Sequence, residues 1–163
     1  MAETIRFTRR GTARADLAGG VIEARRDGRF EGYASLFGRA DQGGDTMAKG
    51  AFARSLRARG AAGIKLLYQH AAAEPIGVWT EIYEDAAGLF ARGRILTELE
   101  RGRDVLALLR EGALDGLSIG FKTIRARTDR ASRRRTVLEA DLWEISVVTF
   151  PMLAGARVTR VGG

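Results

Sequence analysis

The sequence predicts a mainly β protein of the α+β type, built from antiparallel hairpins with a few short helices. Three observations carry this. Residues 30–37, 64–70, 76–83, 88–95, 119–126 and 136–149 alternate, or run apolar, with the period of strands. Only 51–59 and 99–111 space their apolar residues as helices do. Short polar turns such as Glu84-Asp85-Ala86-Ala87 separate strands of similar length.

The elements follow in order. Residues 1–29 read as a loose, Arg-rich N-terminal arm around Gly19-Gly20, with strands possible at 4–8 and 21–24. Residues 30–37 form a strand buried on much of both faces, and 38–44 a polar loop ending near Asp45. Phe52 and Leu56, at i and i+4, mark a helix over 51–59 that Gly60 stops. The aspartates of the preceding loop are a poor ligand set for a cation. Ile64, Leu66, Tyr68 and His70 share one face of a strand, which makes His70 its last inward residue. Glu74-Pro75 opens the next segment, because proline disfavours helix before it. Thr97 and Glu100 have capping-box spacing for the second helix, which Gly112 terminates.

The stretch Leu114-Asp115-Gly116-Leu117-Ser118-Ile119-Gly120-Phe121 leads from that helix into the next strand. Its two glycines permit a sharp turn or a close approach. In the strand 136–149, strict alternation puts Leu142, Glu144, Ser146 and Val148 on one face, and Asp141, Trp143, Ile145, Val147 and Thr149 on the other. A carboxylate among apolar neighbours needs a partner. For Glu144, His70 is one candidate and an arginine the other. Phe150-Pro151 ends the sheet, and a small, basic tail follows.

With 163 residues and no dividing linker, the chain is expected to form one domain, with 125–135 as a basic hairpin tip. No apolar run reaches the length of a membrane span, and the N-terminus lacks a secretory core, so the cytoplasm is the expected compartment. Without cysteine there is neither a disulfide framework nor a thiol nucleophile. A single histidine makes a structural zinc site improbable, and no metal or cofactor is implied. The net charge of +7 comes from 27 basic residues, of which only Lys49, Lys65 and Lys122 are lysine. In 125–135, six arginines against Asp129 give +5, with no aromatic residue to stack on a base. A solvated tip is therefore preferred to a nucleic-acid site.

Serine chemistry needs a hydroxyl, a base and a group that orients the base. His70 is the only imidazole available. Of the serines at 35, 55, 118, 132 and 146, Ser118 alone has glycines close on both sides.

Several ordered stretches carry a resemblance. They are Gly32-Tyr33-Ala34-Ser35-Leu36-Phe37, Gly50-Ala51-Phe52, Leu66-Leu67-Tyr68-Gln69-His70, Glu74-Pro75-Ile76-Gly77, Ala113 to Phe121, and Asp141 to Pro151. Over roughly Phe30 to Val158 the chain resembles the prohead (capsid maturation) proteases of tailed bacteriophages with the HK97-type capsid, and those of gene transfer agents. That family is distantly similar to herpesvirus assemblins. The resemblance implies an antiparallel β-barrel flanked by helices, with Ser118 as nucleophile and His70 as general base. Assemblins use a second histidine as third member. This chain has none, so a carboxylate must take the role, with Glu144 preferred and Asp141 the rival. Backbone amides near Ser118 or after Pro151 are the implied oxyanion donors, with Arg157 a further candidate.

The implied activity is a serine endopeptidase that trims the scaffolding segment of the major capsid protein, and itself, inside assembling proheads in the bacterial cytoplasm. The capsid precursor is then both partner and substrate, and a dimer or oligomer is expected. The alternative is a catalytically idle capsid-assembly protein that keeps the fold, and a basic nucleic-acid-binding module stands third.

Overall fold

The computed structural model describes residues 27–162. The strands expected at 4–8 and 21–24, and nearly all of the expected arm, lie outside the described residues. The elements in order are β1 (Arg29–Leu36), β2 (Asp45–Met47), α1 (Ala53–Arg59), β3 (Lys65–Tyr68), β4 (Pro75–Glu84), β5 (Gly88–Ile95), α2 (Glu100–Arg110), β6 (Gly116–Thr128), β7 (Arg135–Val148) and β8 (Val158–Val161). The mainly β expectation holds.

One sheet runs in the order β2-β7-β3-β4-β5-β1-β8, with β6 paired to β7. β7 is its longest strand and serves three neighbours. β6 lies antiparallel along one edge, while β2 and β3 run parallel to the two ends of the other. Between β2 and β3 that second edge meets the start of α1. The Ala140 N–H donates to Ala51 O (2.9 Å) and the Leu142 N–H to Ser55 Oγ (2.9 Å), so these buried donors are satisfied without a strand.

The sheet curls into a half-barrel. The segment before β8 lies between its ends: Leu117 N–H donates to Ala156 O (3.0 Å), Val158 N–H to Asp115 O (2.8 Å), and Tyr33 N–H to Arg157 O (3.1 Å). Inside sit Phe30, Leu66, Ile76, Leu89, Ile95, Leu117, Leu142 and Ile145, with Phe52 beside α1 and Val105, Leu106 and Leu109 from α2.

Several sequence expectations change. β2 is a short strand that was not anticipated, and β8 lies in the tail placed beyond the sheet. The expected capping box is not formed. Leu99 occupies the N-cap, without a side-chain hydrogen bond, and Thr97 contributes its carbonyl to Arg103 instead. β6 begins at Gly116, so Ser118 stands inside a strand and not in a helix-to-strand turn. Finally, the pairing passes from Gly120↔Glu144 directly to Phe121↔Leu142. The extra residue, Trp143, makes a β-bulge, and alternation resets across it. Leu142 consequently points into the core, opposite to Glu144, while Asp141 (paired with Lys122) shares the face of Glu144.

The two sides of the bulge should differ in energetic weight. Leu142→Ala removes a fully buried side chain and should cost about 2–5 kcal/mol in denaturant unfolding. Trp143→Ala, on the outer face, should cost under about 1 kcal/mol.

Candidate active site

The chain leaves β3 through two consecutive residues in the left-handed region, Gln69 (φ 52°) and His70 (φ 60°). Neither is glycine, and each such conformation costs about 1 kcal/mol or more. His70 is therefore not the last inward residue of a strand, as alternation implied. The turn carries it past the strand end to the outer face. Several bonds hold it there. Gln69 N–H donates to Val147 O (2.9 Å), Gln69 Nε2 to Thr149 Oγ1 (2.7 Å), Thr149 N–H to Gln69 Oε1 (3.3 Å), and His70 N–H to Ser146 Oγ (3.2 Å).

On that face Glu144 meets the imidazole. Its Oε1 lies 2.5 Å from His70 Nδ1, and its Oε2 accepts the Ser146 hydroxyl at 2.6 Å. Ser146 thus bridges the histidine backbone and the carboxylate. Across the β6–β7 pairing, Gly120 faces Glu144. A Cβ at residue 120 would fall 2.2 Å from Oε1, so only glycine admits the carboxylate in this position. The close approach suggested by the glycines of 114–121 is the approach of a side chain from the same protein.

The hydrogen bond to Glu144 raises the His70 pKa above 6.5. Partial burial opposes the shift, and the carboxylate's charge adds to it. Asp141 is occupied elsewhere. Arg59 Nε and Nη2 each donate to it at 3.0 Å, and Trp143 Nε1 at 2.7 Å. The Arg59 bonds, then that of Trp143, lower its pKa to about 2. Of the two carboxylates considered from sequence, the structure brings Glu144 and not Asp141 to His70.

Ser118 faces Ser146 across the β6–β7 pairing and is 5% exposed. Among the described residues, no hydrogen bond engages its side chain. Every fully buried side-chain polar atom described has a partner, so the Ser118 oxygen is one that touches solvent. It lines a small cleft with Ser35, Arg39, Met152 and Leu153. Arg157 holds the loop after Pro151 against the start of β6, through Asp115 Oδ1 (2.5 Å) and Ala154 O (2.9 Å).

Sequence reasoning missed Ser146, although its i+2 spacing from Glu144 already put the two on one side. It also missed the Gln69–Thr149 lock, for which the sequence carries no signal, because a left-handed Gln-His pair is not a composition that marks a turn.

A serine, a histidine and a carboxylate face outward on a half-barrel whose fold is that of viral capsid proteases. The capsid assembly protease of bacteriophage T4 superimposes with a TM-score of 0.59 at 16% identity, over 76% of this chain and 82% of that one. KSHV protease in complex with a hexapeptide phosphonate inhibitor gives 0.56 at 12% identity, over 80% and 63%. The family described as caudovirus prohead serine protease matches residues 20–162, and the chain belongs to it. The prohead protease of Enterobacteria phage HK97 is 33% identical over 132 residues, which are 77% of this chain and 56% of that protein. The chain therefore spans little more than half the length of that relative.

With one imidazole in the chain, proton NMR reads His70 without assignment. Its pKa should lie above 6.5, and Glu144→Gln should bring it down. A raised pKa means that the stabilisation is fully present below 6.5 and lost as pH rises through the folded value. The stability gap between wild type and Glu144→Gln should accordingly be widest in mildly acidic buffer and narrow on the alkaline side.

Proposed function

We propose that the chain is a serine endopeptidase of prohead maturation, with Ser118 as nucleophile, His70 as general base and Glu144 as the group that orients it. The observation that carries this reading is the 2.5 Å contact between His70 Nδ1 and Glu144 Oε1, on the strand whose Ser146 faces the unengaged Ser118 across the β6–β7 pairing. A carboxylate on Nδ1 selects the tautomer that keeps its proton there, which leaves Nε2 free to accept one. The Ser118 proton passes to Nε2 as Oγ attacks the scissile carbonyl, and Glu144 stabilises the imidazolium. The same proton then goes to the leaving amine, and water hydrolyses the acyl-enzyme. Ser146 is the rival hydroxyl, but it is fully buried and already donates to Glu144.

The developing oxyanion needs fixed donors. Among the described residues, the backbone N–H groups of Met152 and Leu153 donate to no acceptor, and both residues line the cleft that Ser118 lines. They are the proposed oxyanion hole. Arg157 has the separate task of holding that loop in place.

The proposed substrate is the scaffolding segment of the major capsid protein, within the assembling prohead, together with the protease's own chain. Restraint before assembly would protect the precursor, and self-association or confinement supplies it by raising local concentration.

Ser118→Ala should leave a co-expressed capsid precursor uncut, by intact mass, with a loss approaching about 10⁶-fold in kcat. Undiminished trimming by that variant would assign the nucleophile elsewhere, and an inactive wild type would favour the idle assembly protein. The purified chain should gain specific activity with concentration. A flat dependence would remove self-association as the restraint.

A further inference from the structure

Trp143 is the bulged residue between Asp141 and Glu144, and its role is not structural in the usual sense. The residue is 52% exposed, so it contributes little to the core that Leu142 and Ile145 fill on either side. Yet its orientation is fixed. Indole Nε1–H donates to Asp141 Oδ2 at 2.7 Å, and Arg59 grips the same carboxylate with two bonds of 3.0 Å. With a pKa of about 2, Asp141 stays ionised and keeps accepting at any working pH. An exposed indole clamped in this way has already lost the side-chain freedom that a binding contact would otherwise have to remove.

Its place is set by the bulge. Bulges beside active sites re-aim side chains, and this one puts Trp143 next to Glu144 without moving the carboxylate from His70. Ser118 faces Ser146, and Trp143 lies three residues before Ser146 in β7, about 10 Å away at the rise of a strand. Beyond it, between α1 and the β6–β7 hairpin, runs a groove lined by Ala58, Ile124 and Ala140, with Arg54 and Glu139 at its rim. Ile124 is itself exposed. The groove reaches Asp141, the carboxylate that holds the indole of Trp143.

We propose that Trp143 is a specificity-determining residue: its indole is the wall of a subsite that takes an apolar or aromatic side chain of the cleaved polypeptide, about three residues from the scissile bond. The spacing follows because an extended substrate rises about 3.3 Å per residue, as β7 does. The inference rests on the endopeptidase reading above.

The test uses the full chain and peptides spanning the cleavage site, which intact-mass analysis of the trimmed capsid precursor locates. One peptide keeps the native sequence. In the other, the apolar residue nearest the third position from the cleaved bond is serine. Trp143→Ala should lower kcat/KM on the native peptide about 10- to 200-fold, mainly through KM, as the loss of one apolar pocket contact does. Trp143→Phe should recover part of it. The serine peptide should be slow with wild type and no slower with Trp143→Ala, which is the coupling a direct contact requires. Equal slowing of both peptides, or of neither, overturns the subsite, provided that Trp143→Ala unfolds at the wild-type denaturant midpoint. If its midpoint falls, Trp143→Lys and Trp143→Phe replace it in the same comparison. A wild-type chain that cleaves neither peptide, at any concentration, overturns the protease reading and the subsite with it.

Discussion

A carboxylate that is only 14% exposed must find its solvation inside the protein, and the outer face of this sheet is arranged around that requirement. Glu144 receives one hydrogen bond from Ser146 and pairs with His70 through its other oxygen. Each partner is in turn held by something else. Ser146 also receives the His70 N–H, and the imidazole is placed by a turn that Gln69 ties to Thr149. The glycine across the strand pair is part of the same arrangement, since any side chain there would occupy the space of the carboxylate. Removing any one of these groups leaves the others with unsatisfied hydrogen-bonding capacity.

β7 provides the scaffold for this. Its length lets one edge carry all of β6, while the other is divided among β2, α1 and β3. The serine of β6 and the histidine after β3 lie along opposite edges of β7, the strand that carries the glutamate. The bulge at Trp143 brings onto one face two carboxylates that strand alternation alone would put on opposite faces. Asp141 and Glu144 share a face, but one is bound by Arg59 and the indole and the other by the imidazole.

Much of this was legible in the sequence. Alternation located the long strands, and i, i+4 spacing with glycine stops located both helices. Family resemblance singled out Ser118 and His70, and the need for a carboxylate put Glu144 ahead of Asp141; the structure places them on β6, in the turn after β3 and on β7. The failures share one physical origin, which is that period-two reasoning assumes an uninterrupted strand. It set Leu142 on the face of Glu144, because a single inserted residue leaves no mark in composition. It pointed His70 inward, because a left-handed turn made of Gln and His lacks the usual glycine. β2 and β8 escaped because three or four residues carry too little pattern, and both are stabilised by distant partners, β7 and β1. The capping box failed for a related reason: the helix began where tertiary packing set it, three residues after Thr97.

The left-handed backbone at residue 70 has an evolutionary consequence. Asparagine or glycine would suit that conformation better than histidine, and asparagine would also relieve residue 69. The same histidine is the partner of a carboxylate that is largely buried, so replacing it would ease the backbone and leave Glu144 without its pair at once. Backbone conformation and carboxylate pairing therefore pull in opposite directions at residue 70. A chain that lost the imidazole would be expected to lose the Glu144 carboxylate with it.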